Sequence, residues 1–189
     1  FDKRVGRILE SMQLCRALWS GEPVNWEGRW ELRNATLGPT PYRVGGPPIW
    51  MGGSSSGSIQ RAGCYFNGWI PDPPKAEQFR EGWSKVQSTA SRAGRDPTKI
   101  TGAMYMTIRI DEEAAAAERC IEEFFEAYYP GRGEQMRLSR PWYAGGALAA
   151  AEYLLGYAKA GASHFVLRFA GDHEDQLEKM SGVRNQLGW

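Results

Sequence analysis

Residues 48 to 70, PIWMGGSSSGSIQRAGCYFNGWI, constrain the fold more than any other stretch. Ile49, Trp50 and Met51 form an apolar run behind Pro47-Pro48, the pattern of a short buried strand. Gly52-Gly53 breaks it, and Ser54 to Ser58 offer several helix N-caps. A helix is predicted from Ile59 to Phe66, with Arg61 on its solvent side. Asn67-Gly68 then turns the chain into a second apolar run, Trp69-Ile70. Strand, Gly-Gly turn, helix and strand make a βαβ unit.

Two consecutive glycines let backbone approach a ligand closely and adopt positive φ. The first N–H groups of the helix are unpaired and carry the positive end of its dipole, so an anion is favoured there. The stretch reads either as a phosphate cradle or as a tight turn with a serine cap.

A chain of 189 residues, 42% hydrophobic, 24% charged and of net charge +1, reads as one globular domain or part of one. It has no basic excess for nucleic acid. No apolar run approaches the ~18 residues of a membrane span. No signal peptide is predicted, and the expected location is the cytoplasm. Cys15, Cys64 and Cys120 lie far apart without CxxC spacing, which predicts free thiols. The two histidines, His164 and His173, predict no metal site. The chain opens on Phe1 in what looks like mid-helix, which predicts a piece of a longer protein.

Residues 2 to 20 predict a helix with Val5, Ile8, Leu9, Met12, Cys15 and Trp19 as a core-packing stripe, closed by Gly21. Val24, Trp26, Trp30 and Leu32 alternate around Glu27-Gly28, as in a hairpin. Hairpin and Pro/Gly-rich connection, 24 to 47, read as parts of the same domain rather than a linker. Further on, a helix is predicted at 75–93, with Phe79, Trp83 and Val86 on one face. A strand follows at 100–110, then a helix capped by Asp111 and running to Tyr129. An alanine-rich helix is predicted at 147–160, a strand at 164–169 and a last helix from Gly171-Asp172 to Leu187. Residues 134–144 carry no clear pattern. Four strands, each followed by a helix, imply a parallel sheet with helices outside. That is half of a (β/α)₈ TIM barrel, with a doubly wound sheet as the alternative.

Several motifs, in order, resemble the bacterial luciferase-like monooxygenases, a superfamily of flavin- and F420-dependent oxidoreductases. They are LWSGEPV at 18–24, Glu27-Gly-Arg29, PPIWMGGSS at 47–55, Arg61-Ala62, NGWIP at 67–71, and HFVLRFAG at 164–171 after Tyr157 to Gly161. The resemblance implies the C-terminal half of a (β/α)₈ barrel, with the strand at 49–51 as the fifth. It implies cofactor contacts at Met51, Gly52, Gly53 and Ser54, followed by Ser55 and Gly57, and F420 or FMN as cofactor. It implies hydride transfer or O₂-dependent oxygenation of a small organic substrate, with a flavin reductase as partner if the cofactor is FMN. Catalytic residues are not assigned. The family carries Asp before Gly-Trp where this chain has Asn67. The alternatives are a non-catalytic flavin-binding or scaffold relative and a redox-free phosphate-binding barrel enzyme.

Trp69, at the end of the sixth strand of that barrel, reads as a wall for the flavin ring or as a core tryptophan. Arg168 reads as a ligand contact or as a buried cation paired with a carboxylate. His164 reads as structural and His173 as exposed. Arg132, Arg137 and Arg140 read as a solvated basic cluster or as a seat for the acidic tail of F420. An open half barrel exposes two sheet edges, which predicts poor stability alone and a homodimer.

Overall fold

The structure, a computed structural model, describes residues 3–73 and 75–189. The chain divides into two compact units, residues 1–48 and residues 49–189. In the first, helix α1 (Arg4–Leu18) precedes the antiparallel hairpin of β1 (Val24–Glu27) and β2 (Glu31–Ala35), with Trp26 opposite Leu32. Glu10 of α1 holds the hairpin turn: it accepts the Arg29 N–H at 2.6 Å and pairs with Arg29 Nε at 3.2 Å. The expected core stripe on α1 is corrected here. No residue of α1 is buried, and Val5 and Ile8 are 36% and 44% exposed. A unit this small has too little apolar surface to cover a whole helix face.

The second unit is α/β, with a five-stranded parallel sheet. Its elements are β3 (Trp50–Gly52), α2 (Ser56–Tyr65), β4 (Gly68–Ile70), α3 (Ala76–Arg92), β5 (Thr101–Ile110), α4 (Ala114–Tyr128), α5 (Gly133–Ser139), β6 (Trp142–Gly145), α6 (Ala147–Lys159), β7 (His164–Phe169) and α7 (His173–Leu187). β5 is the axis of the sheet. β4 pairs with its first two residues and β6 with its last four, both on one edge, and β7 runs along 103–108 on the other. The edges follow from hydrogen bonding. Thr101 and Thr107 N–H groups go to Asn67 and Pro141 carbonyls, whereas the Gly102 and Ile108 carbonyls serve Ser163 and Ala170. This is the expected partial barrel, with an additional short strand.

Alternation along β5 separates two faces. Met104, Met106, Ile108 and Ile110 are fully buried in one core with Phe79, Leu154 and Val183 from α3, α6 and α7. Each such side chain contributes about 1.5–3 kcal/mol by burial. Gln176 of α7 locks the end of β5, accepting the Ile110 N–H at 2.7 Å and donating to its carbonyl at 3.0 Å. The opposite face carries Tyr105, Thr107 and Arg109. There α4 packs Ile121 and Phe125 against Ala170.

Two local expectations change. Residues 134–144, unread from sequence, form α5 and β6. Asp111 does not cap α4: its carboxylate takes Arg109 Nη2 at 2.8 Å and the Glu113 N–H at 3.2 Å, and Glu113 occupies the cap position. The strand expected at 68–70 is present as β4, and Asn67 Oδ1 accepts the Ile49 N–H, tying the two strand entrances together.

Candidate functional site

The Gly-Gly turn connects β3 to α2 at the C-terminal end of the sheet, where sites of parallel α/β folds lie. Gly53 has φ of +93°, a conformation that excludes most side chains, and a Cβ there would stand 3.2 Å from Ser58 Oγ. Ser55 caps α2: its Oγ accepts the Ser58 N–H at 3.2 Å and lies 2.9 Å from Ser58 Oγ. The Ile59 N–H starts the helical ladder on the Ser55 carbonyl. The Ser56 and Gly57 N–H groups stand outside that ladder at the positive helix end. No acidic residue occupies the first turn. Arg61 reaches back one turn, its Nη1 lying 3.1 Å from where a Gly57 Cβ would be. Backbone donors, hydroxyls and a guanidinium without a carboxylate suit a phosphate.

The predicted residues divide by position. Gly52, Ser54, Ser55 and Gly57 are open or half-open at the turn, whereas the Met51 side chain packs against the core. Trp69 is 1% exposed and stacks on Phe79 at 5.4 Å. Its indole N–H donates to the Gly53 carbonyl at 2.9 Å. Trp69 therefore reaches the turn from behind and holds its backbone. Arg95, which sequence reasoning missed, anchors the other end of α2 by donating to the carbonyls of Ala62, Gly63 and Phe66. No local pattern marks it, because its acceptors lie about 30 residues earlier in the chain.

The arginine cluster is dispersed into separate contacts. Arg132 Nε donates to Gln135, Arg137 pairs with Glu122 at 3.6 Å, and Arg140 pairs with Asp72. Arg168 does not pair with a carboxylate among the described residues. It donates from Nε and Nη2 to Thr107 Oγ1, at 3.1 and 2.7 Å. His164 is exposed and meets the Trp50 ring edge-on at 5.4 Å, and His173 is the exposed first residue of α7. Burial pushes the Tyr157 hydroxyl well above its ordinary pKa, and the group donates to the Pro73 carbonyl at 3.1 Å. It is thus a neutral structural phenol. Among the described residues no helix is long and apolar enough to cross a membrane.

Comparison with known proteins places this geometry. The phthiodiolone/phenolphthiodiolone dimycocerosates ketoreductase of Mycobacterium tuberculosis is 32% identical over 126 residues, 65% of this chain and 33% of that protein. The F420-dependent hydroxymycolic acid dehydrogenase of the same organism is 30% identical over 118 residues, 62% of this chain and 32% of that protein. The chain thus matches about a third of the length of these relatives. Among solved structures, an F420-dependent secondary alcohol dehydrogenase in complex with an F420-acetone adduct superposes with a TM-score of 0.79 at 19% identity, over 95% of this chain and 60% of that one. The long-chain alkane monooxygenase LadA superposes equally well, with a TM-score of 0.79 at 14% identity, over 100% of this chain and 56% of that one. These likenesses confirm the partial-barrel fold. The luciferase-like monooxygenase family matches residues 1–188, essentially end to end, and to that family the chain belongs.

Proposed function

We propose that this chain supplies the cofactor-phosphate half of a flavin- or F420-dependent oxidoreductase. The observation that carries the reading is the turn itself: Gly53 at positive φ, Ser55 capping α2, and a helical ladder that starts only at Ile59, with Arg61 beside Gly57. In this reading Gly52, Gly53, Ser54, Ser55 and Gly57 hold the phosphate, and Trp69 keeps the turn in shape from behind. When bound in its reduced form, the cofactor supplies hydride to a small organic substrate or, as FMN, electrons to O₂. The residues of this chain bind and orient it.

F420 is favoured over FMN, since the hydroxymycolic acid dehydrogenase relative is F420-dependent and the ketoreductase relative is named for a carbonyl reduction. A homodimer in the cytoplasm completes the proposal, with a flavin reductase as partner if FMN is the cofactor.

Titration of F420 and of FMN into the full-length protein, read by deazaflavin fluorescence and flavin absorbance, tests it. Binding of F420 that weakens in Gly53→Val is expected. Binding of neither cofactor, or binding indifferent to Gly53→Val, removes the cradle assignment.

A further inference from the structure

Arg168 lies near the C-terminal end of β7, on the sheet face opposite the main core. Its guanidinium carbon stands 4.5 Å from the Tyr128 ring centre, 4.8 Å from Phe124 and 5.4 Å from Tyr105, with Phe125 and Tyr129 at 5.8 and 5.9 Å. Phe124 and Tyr128 are themselves stacked, at an interplanar angle of 17°. The cation is thus collared by rings, a favourable setting for a guanidinium face. Its hydrogen bonding is one-sided. Nε and Nη2 both serve Thr107 Oγ1, a hydroxyl 1% exposed as a residue. Among the described residues nothing accepts from Nη1, and no carboxylate lies within ion-pair distance.

A clamp between β7 and α4 explains the rings and Thr107. It does not explain why the charge, partly withdrawn from water, meets only a neutral oxygen. The end-on edge, Nη1 with the second hydrogen of Nη2, offers two parallel donors in one plane. That edge matches the two oxygens of a carboxylate. The stacked rings beside it favour a flat group behind the carboxylate.

We propose that Arg168 is a binding subsite for a carboxylate, separate in place from the phosphate cradle. The acid comes from the substrate or from the acidic tail of the cofactor; the edge meets the carboxylate alike in both, and only a flat substrate acid adds the ring contact.

The test uses benzoate, with benzamide as its neutral counterpart, on the full protein. Benzoate should shift the Arg168 Nε–H and Tyr128 ring resonances, and benzamide should not. Arg168→Met should weaken benzoate binding by about tenfold or more, as loss of a charge-assisted bidentate contact implies. Arg168→Lys should fail to restore it, whereas Gly53→Val should leave it unchanged. If Arg168→Met weakens F420 but spares the tail-less deazaflavin phosphate, the acid is the tail. If both cofactor forms bind it as they bind the parent protein, the acid belongs to the substrate. A benzoate titration that leaves the Arg168 Nε–H unmoved overturns the proposal even where the variants do not fold. So does equal benzoate affinity in Arg168→Met.

Discussion

Helices α2 and α7 both begin just beyond a strand, behind a glycine of positive φ: Gly53 at +93° and Gly171 at +89°. Each is capped by a side chain that takes the N–H three residues on, Ser55 for Ser58 and Asp172 for Asp175. The first turn of α7 adds Glu174 and Asp175, and that of α2 has no acid. The backbone device is the same and the electrostatics are opposite. At α7 the dipole is satisfied by the chain's own carboxylates. At α2, in the proposed reading, that role falls to the cofactor phosphate. In many barrels a phosphate goes to the loops after strands seven and eight. The acids at α7, which follows the eighth strand of the expected barrel, argue against that site here.

The largest break in this comparison comes from Gly53→Val. Forcing a β-branched residue into that backbone stores about 1–3 kcal/mol of strain, and phosphate affinity should fall roughly ten- to hundredfold in a fluorescence titration. The same change at Gly171 should leave phosphate affinity unaltered.

Ser56→Asp gives α2 the electrostatics of α7. A like charge near 4 Å costs about 1–4 kcal/mol, depending on solvent exposure, so cofactor affinity should drop about tenfold. The helix itself should be slightly more stable by thermal melting.

Trp69→Phe keeps the stacking on Phe79 and removes the bond to the Gly53 carbonyl. Affinity should fall by about threefold, and stability by about 1 kcal/mol in denaturant unfolding.

The smallest effect is on pH dependence. The hydrogen bond from Lys179, then that from Gln176, holds the Asp175 carboxyl below its ordinary value. A lowered carboxylate pKa stabilises the fold above the unfolded value, and the contribution is lost as pH falls through the folded one. Amide exchange at the start of α7 should therefore quicken below about pH 4, and exchange at the start of α2 should not.

What the sequence disclosed follows the range of the interactions. The alternation of Met104, Met106, Ile108 and Ile110 announced β5, and Gly52-Gly53 with its serines announced the turn, because both signals lie within a few residues. β6 escaped notice because Trp142 to Gly145 has no alternation and exists as a strand only through pairing with Thr107 to Ile110. Trp69, expected at the end of its strand, is the middle residue of β4. Its bond to a carbonyl sixteen residues earlier had no local mark. Arg168 was recognised as a cation in need of a partner. The partner proved to be Thr107 and the rings of α4, elements brought together only by the crossover from β5 to β7.

One contact at the base of the sheet carries a mechanical consequence. Trp50 lies in β3 and His164 in β7, three strand spacings apart, which in a flat sheet is about 14 Å. Their rings nevertheless meet at 5.4 Å. The indole gets across because β4 presents Gly68 beneath it, where a Cβ would collide with the ring at 2.5 Å. The pair acts as a tie rod across an arch, drawing the outer strands together and holding the span at a set curvature. Gly68 is the clearance that lets the rod pass, so a methyl group at this one position would press on the Trp50 ring and loosen the tie from its β3 end.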